Sequence, residues 1–364
     1  MSYGVIAWVA VSAQLRSFHL VRRGTPAVSV LKPLCGVEAQ TYECLRSFCE
    51  QDYPTFQVIF GVADPNDPVV EIAKRVRAEF PQRDVKVIID PRQHGSSRKV
   101  SNLINMVPHA SHEYLVLADS DVQVKADYLA EVVPPLLESD VGIVTCAYRG
   151  VARRGLWSTF ESLFINDWFT PSVRVAAMGG SRSFAFGASI AMRREVLSSI
   201  GGFMSIVNQL ADDYRLGELT RRLGLRTVLS STIVDIAVAE RSLGELIGHE
   251  LRWLRTIRAV RPFAYGFLCI TFTIPVALVS IWLSRGARGA IDMFMITAVA
   301  RILLHLRTRQ AGASAVEWLC VPFRDTLSLA LWCWSFTTRR VQWRDDCFQV
   351  TRDGSAKLVA RITS

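Results

Sequence analysis

Tyr114 to Asp121 reads YLVLADSD, five apolar residues running straight into a pair of carboxylates. A run this short, bounded by polar residues, is a buried strand rather than a helix. The same pattern recurs upstream at 28–31 (VSVL), 57–62 (QVIFGV) and 85–89 (VKVII), and downstream at 142–145 (GIVT). Helical spacing fills the gaps. Residues 38–50 repeat at Tyr42, Leu45 and Phe48, and residues 67–80 at Val69, Val70, Ile72, Ala73 and Val76. Residues 99–107 also suit a helix. Strands alternating with helices predict an α/β domain, a mostly parallel sheet covered on both faces. No internal repeat is visible.

In such a sheet, ligands bind beyond the carboxyl ends of the strands. Asp64 follows one strand, and Asp119 and Asp121 follow another. A single acid there is an ordinary loop cap; three from two strand ends can share a cleft. Asp119-Ser120-Asp121 is a D-x-D, which can hold a divalent cation against the oxygens of a diphosphate. Alone the motif is common, and its place after a strand sharpens it. Asp212 and Asp213 follow a Gly201-Gly202-Phe203 turn and open a helical stretch at 213–223. Carboxylates cap helices well, but one of two adjacent acids is left to serve as a base for an attacking hydroxyl. His249-Glu250-Leu251-Arg252-Trp253 adds a forked phosphate-binding guanidinium and an aromatic plane.

Half of the 364 residues are apolar and the formal charge is +9. The chain has no zinc-finger spacing, no basic low-complexity tail and no aromatic RNA-binding signature. Nucleic acid is therefore not an expected partner, and the basic excess suits anionic lipid headgroups. The eight cysteines form no C-x-x-C pair and read as free thiols of a reducing compartment. Residues 4–15 are apolar but short of the ~20 that a span requires, which suggests a short anchor with Arg16, His19, Arg22 and Arg23 behind it. The uncharged run 263–283 is long enough to cross a bilayer, and Pro275 can kink it. Residues 287–306 and 313–336 are apolar too, but carry Asp292, Arg301, Glu317, Arg324 and Asp325. Such charges must pair or stay near the interface. Just before these segments, residues 241–261 are amphipathic. Leu243, Leu246, Ile247, Leu251, Leu254 and Ile257 form a stripe, and Arg252, Arg255, Arg258 and Arg261 recur every three residues. The expectation is a helix at the membrane interface, stripe toward the lipid and arginines near its phosphates.

Taken together, VSVLKPLCG, QDYPTFQVIFGVADPNDP, RKVSNLINM, LADSDVQV, VTCAYRG, FAFGASIAMRR, LADDYRLG and HELRWLRTIRAVRP resemble the ceramide glucosyltransferase family. The likeness runs from about residue 28 to 262 and includes the bacterial members and the related hopanoid-biosynthesis glycosyltransferases. It implies a GT-A fold followed by C-terminal membrane helices, a UDP-sugar donor, and a divalent cation, Mg2+ or Mn2+. By position, Asp64 would meet the uracil and ribose, and Lys99 would bind the donor. Asp119 would lie at the sugar and diphosphate, and Asp121 would hold the metal. Asp213 would be the catalytic base, Arg252 and Trp253 would clamp the diphosphate, and Asp212 would stand beside the donor. His249 departs from the Gln or Arg that the family places there, so it is carried over only as a donor-side candidate.

The implied reaction is a single displacement that inverts the anomeric centre, moving glucose onto ceramide in the membrane bilayer. Transfer of N-acetylglucosamine onto a hopanoid is the nearest alternative. A processive polysaccharide synthase would need a longer channel, and an inactive membrane scaffold would have lost one of the acidic motifs. The expected organisation is an anchor at 1–23, a catalytic domain at 24–240, an interfacial helix at 241–262, transmembrane or re-entrant helices at 263–337, and a tail at 338–364. Basic clusters flanking the apolar segments predict a cytoplasmic catalytic domain, and the resemblance to the bacterial members implies a bacterial inner-membrane protein.

Overall fold

The structure is a computed structural model that describes residues 3–12, 24–38, 40–152, 155–182, 185–309, 317–343, 346–351 and 355–361. Arg16, His19, Arg22 and Arg23 lie outside these residues. The chain begins with α1 (Tyr3–Ser12), β1 (Val28–Leu34), α2 (Thr41–Cys49), β2 (Phe56–Val62), α3 (Val69–Glu79) and β3 (Asp84–Ile89). It continues through α4 (Arg98–Met106), β4 (Tyr114–Ala118), β5 (Val122–Gln123), α5 (Tyr128–Val132) and β6 (Val141–Ala152). Then come α6 (Leu156–Phe164), α7 (Thr170–Met178), β7 (Ser189–Arg193), α8 (Arg194–Ser199), α9 (Asp212–Arg222) and β8 (Arg226–Val238). The last part holds α10 (Leu243–Val260), α11 (Pro262–Gly266), α12 (Thr273–Leu283), α13 (Arg288–Thr308), α14 (Glu317–Ser335), β9 (Arg340–Trp343), β10 (Asp346–Val350) and β11 (Ala356–Arg361).

Two compact units emerge. One comprises residues 15–148 and 182–237; the other comprises 1–14, 149–181 and 238–364. The linear stretch 24–240 is thus interrupted, since residues 149–181 cluster with the C-terminal part.

The first unit is built on a sheet of order β3-β2-β1-β4-β7-β6-β8-β5. β3, β2, β1 and β4 run parallel, as the alternation of strands and helices predicts. β7 then joins antiparallel to both β4 and β6. All seven residues of β1 (VSVLKPL) are buried, the mark of a central strand covered on both faces. The core gathers Leu31, Ile59, Leu115 and Ile190 from the strands with Val100, Leu103 and Met106 from α4. Gly61 permits this packing. A Cβ there would lie 2.3 Å from Met106 Sδ, while Asn102 Nδ2 donates to the Gly61 carbonyl at 2.7 Å. α4 is thereby held against β2 with its N-terminal turn at the carboxyl end of the sheet.

In the second unit, α1 lies along α13 and α7. Here the structure corrects one expectation. Most of the apolar stripe of α10 packs inside the protein rather than against lipid: Leu246, Leu251 and Leu254 are buried, the last two with Tyr265 and Leu331 as partners, while Leu243 is exposed. Two arginines of that helix turn inward as well. Arg258 donates to the carbonyls of Ser335 and Thr338, and Arg255 to that of Arg340 at 3.0 Å. They satisfy carbonyls at and beyond the C-terminal end of α14, where a helix leaves acceptors open and favours cations. The run 263–283 is bent, a shape that a broken span or a re-entrant loop takes. It is no straight span, because a short helix 262–271 meets α12 at 74°. Pro275 lies in the first turn of α12, where a missing N–H is tolerated and the preceding helix cannot simply continue.

α13 is instead the one helix, among the described residues, long and apolar enough to cross a membrane by itself. Its internal charge is paired. Arg301 donates to Asp325 of α14 at 2.9 Å and lies 3.3 Å from Asp167, which also meets His305 at 2.9 Å. Arg301 and Asp325 thus neutralise each other across two apolar helices, while Arg324 pairs with Glu250 of α10 and Asp292 is exposed. All eight cysteines are free thiols.

Because its side chain is 1% exposed, Leu254→Ala is expected to destabilise the protein by about 2–5 kcal/mol. Denaturant unfolding in detergent measures this. A change below about 0.5 kcal/mol, the usual size at a surface position, would return the stripe to the lipid.

Candidate active site

β4 ends at Ala118, and Asp119 and Asp121 begin the loop beyond it. That loop is held from below by a residue the sequence reading passed over. Lys32, fully buried in β1, donates from Nζ to the carbonyls of Asp119 at 2.6 Å and Val122 at 3.0 Å. Cys44 Sγ reaches the Asp121 carbonyl at 3.3 Å, and the Ala237 N–H donates to that same carbonyl at 3.0 Å. Burial lowers the Lys32 pKa to about 8, against the pull of Cys44, Asp121 and Asp119. A lone lysine within VSVLKPL was the available signal, since a charge in a central strand needs a partner.

Asp121 stands where a negative charge is costly. Burial, with Asp119 and Glu38 nearby, pushes its pKa up to about 7, only partly offset by Lys32. Two hard carboxylates with an unfavourable charge suit a divalent cation such as Mg2+ or Mn2+. The residues therefore fit the metal that the D-x-D implies.

The second acidic motif meets the first through α4. Lys99 Nζ lies 2.6 Å from Asp119 Oδ1 and 3.3 Å from Asp212 Oδ2. Burial alone would lower the Lys99 pKa, but Asp119, Asp212 and Asp213 hold it well above the usual lysine range. Asp213 is oriented by backbone donors: Gly187 N–H reaches Oδ2 at 2.8 Å and Tyr214 N–H reaches Oδ1 at 2.7 Å. The helix-capping reading is not realised in its simple form, because Ala211 occupies the cap and no side chain caps α9. Burial, then Asp212, raises the Asp213 pKa to about 6, with Lys99 and the two N–H groups opposing.

Gly187 marks where these groups converge. A Cβ on it would stand 3.3 Å from Asp213 Oδ2, 3.4 Å from Lys99 Nζ and 3.5 Å from Asp119 Oδ2. The FAFGAS segment was part of the sequence pattern, but nothing in its spacing revealed that a side chain at 187 would enter the site.

Asp64 lies in a neighbouring part of the same unit. It lines a cavity of about 280 Å³ with Pro65, Arg92, Arg98, Ser101 and Asn102. Its Oδ1 accepts from the Asn66 N–H at 2.8 Å, which fixes the turn after β2. Arg92 is bound to Asp90 at 2.6 Å.

His249, Arg252 and Trp253 belong to α10, in the other unit. His249 Nδ1 lies 2.9 Å from Glu240 Oε1 and 3.7 Å from Glu161 Oε1. Trp253 sets its ring edge to face against the imidazole, centroids 5.0 Å apart, and packs near Phe164 and Phe169. The fully buried Glu250 pairs with Arg324. Thus Lys99, Asp119, Asp212 and Asp213 form one cluster, Asp64 lines a cavity beside α4, and the HELRW residues form a separate group.

A family model described as glycosyl transferase family 21 matches residues 2–356. Ceramide glucosyltransferase 3 of Caenorhabditis elegans is 23% identical over 255 residues, covering 69% of this chain and 55% of that protein. Ceramide glucosyltransferase of Komagataella phaffii is 29% identical over 116 residues, 31% of this chain and 23% of that one. The chain spans about half the length of the first of these relatives. Among solved structures, a mannosyltransferase from Pyrobaculum calidifontis, determined with GDP-Man and Mn2+, superposes with a TM-score of 0.53. It is 18% identical, with 92% of this chain and 96% of that chain covered. That likeness establishes the GT-A fold.

Proposed function

The chain belongs to glycosyl transferase family 21, and from that premise we propose that it moves a hexose, glucose first, from a UDP-sugar to a membrane lipid, ceramide first. One observation carries the reading: Lys99, Asp119 and Asp213 all approach within 3.5 Å of a single point above Gly187. A base, a cation and the D-x-D meet where a sugar donor and a hydroxyl must meet.

In this reading Asp213 takes the proton of the acceptor hydroxyl as that oxygen attacks the anomeric carbon. The N–H groups of Gly187 and Tyr214 keep its carboxylate in one orientation. Lys99 binds the donor and steadies Asp119 and Asp212, so that three neighbouring acids coexist. Asp121 would hold a divalent cation, with Asp119 beside it at the donor sugar and diphosphate; the ion when bound supplies Lewis-acid stabilisation of the departing diphosphate. Asp64 would receive the uracil and ribose in its cavity. Arg252 and Trp253 would clamp the diphosphate, with His249 and Asp212 as further donor-side candidates, roles supported by their places in the motifs. A single displacement from an α-linked donor gives a β-linked product.

Membrane attachment is part of the proposal. Phe263, Trp282, Leu283 and Phe323 are more than two-thirds exposed, which suits hydrocarbon as their solvent. With basic residues at 307, 309, 339 and 340 beside the apolar helices, the positive-inside rule favours a cytoplasmic catalytic unit, and the likeness to the bacterial members of the family favours a bacterial inner membrane.

The test is incubation of the purified full-length protein with lipid extracts and labelled UDP-sugars. Labelled glucosylceramide is the expected product. N-acetylglucosamine on a hopanoid would replace both substrates while keeping the reaction type. No labelled lipid with any donor would overturn the proposal.

A further inference from the structure

α6 buries a carboxylate that no donor group reaches. Glu161 is 0% exposed, no N–H or hydroxyl is hydrogen-bonded to either side-chain oxygen, and the Glu250 carboxyl lies within hydrogen-bonding range of it. Glu240, just ahead of α10, has one oxygen on His249 Nδ1 at 2.9 Å, while its buried Oε2 has no partner. His249 Nδ1 is also 3.7 Å from Glu161 Oε1, and one donor atom from each of the three residues lies within 4.8 Å of the others. Burying unpaired carboxylates is expensive, so such a group must neutralise itself or hold a cation.

The nearby charges do not provide the balance. Arg324 is paired with Glu250. The other charged side chains acting on Glu161, Glu250 and Glu240, are themselves carboxylates. The separations suit a metal. Ligands ~2.0–2.1 Å from a tetrahedral ion stand roughly 3.3–3.4 Å apart, between the 2.9 Å and 3.7 Å observed from Nδ1. Two carboxylates and one neutral imidazole match the charge of a divalent ion. Mixed nitrogen and oxygen donors select first-row transition metals over Mg2+.

We propose that Glu161, Glu240 and His249 form a second cation site, binding a first-row divalent ion of the Zn2+ type, with ligands distinct from the D-x-D carboxylates. Its ligands come from α6, from the segment before α10 and from α10 itself. Bound metal would lock α10 in rotation and height, and with it Arg252 and Trp253, three and four residues beyond His249. The histidine that breaks the motif then has a structural task, and Trp253 braces its ring.

The experiment uses the full-length protein in detergent, stripped by a chelator and reloaded with Zn2+, or with Co2+ as a visible probe. The proposal expects about one tightly bound Zn2+ and Co2+ bands showing nitrogen ligation, both retained in Asp121→Asn. Glu161→Gln, Glu240→Gln and His249→Asn should each weaken Zn2+ binding at least tenfold. Stripped Glu161→Gln should melt above the stripped wild-type protein, because the buried charge is gone, and Zn2+ should no longer raise its Tm. Two results would overturn the site. One is Zn2+ binding lost in Asp121→Asn but unchanged in the other three variants. The other is no Zn2+ binding together with an infrared carbonyl band of a protonated carboxyl that vanishes in Glu161→Gln, which would show that a proton neutralises the pocket.

Discussion

Asp213→Asn is expected to lower turnover by ~10²-fold or more, the usual size of general-base catalysis, with UDP-sugar affinity changed only a few-fold. The side chain keeps its volume and one acceptor for the Gly187 or Tyr214 N–H, so the start of α9 should survive. What it loses is the ability to take a proton. The pH profile gives an independent reading. Burial and Asp212 raise the Asp213 pKa from 3.8 to about 6, so the proton is held more tightly than in a free aspartate. The base form predominates only above that value. Wild-type kcat/KM should therefore fall about tenfold per pH unit below about 6, and this limb should vanish in Asp213→Asn. Single-turnover rates and calorimetric UDP-sugar binding, measured across pH, separate the two effects. Should Asp212→Asn prove the crippling change and Asp213→Asn a mild one, the base has been assigned to the wrong member of the pair.

The parallel half of the sheet was legible because short buried strands write themselves as uninterrupted apolar runs, and YLVLA and QVIFGV are such runs. β7 and β8 were not legible. SIAMR and RTVLSSTIVDIAV mix polar and apolar residues, and only pairing with distant strands decides their place. The acids were found for the same local reason, since each motif ends a strand or opens a helix. Lys32 and Gly187 act across 87 and 26 residues of chain, on Asp119 and Asp213. No periodicity encodes such contacts. The shape of the apolar segments was not legible, because composition is silent about packing. Residues 263–283 are long and apolar enough, yet the chain breaks there, and most of the α10 stripe meets α11 and α14 rather than lipid. An amphipathic pattern says that one face is covered, and it does not say by what.

Asp121→Asn should abolish stimulation by Mg2+ or Mn2+ and remove most activity, leaving the fold intact. Lewis-acid stabilisation of a leaving diphosphate is worth several kcal/mol. At ~1.4 kcal/mol per tenfold, that amounts to ~10²–10³ in rate. The fold should tolerate the change because the native carboxylate is itself ill at ease. Burial, Asp119 and Glu38 raise its pKa from 3.8 to about 7. A raised carboxylate pKa means that the folded state binds the proton more tightly than the unfolded chain. Its contribution to stability is present below about pH 4 and is lost as pH rises toward 7. Protein without Mg2+ or Mn2+ should therefore lose stability across that window, and Asp121→Asn should lose less. Adding Mn2+ with UDP should raise the melting temperature of the wild-type protein at pH 7, where the charge needs a counter-ion, and should scarcely move that of the variant. Lys32 and the Ala237 N–H hold the loop by its backbone carbonyls, so the substitution leaves those bonds in place. Melting curves with and without Mn2+, run beside the transfer assay, check both halves of the expectation. Full activity of Asp121→Asn in saturating EDTA would rule out the metal role of this aspartate.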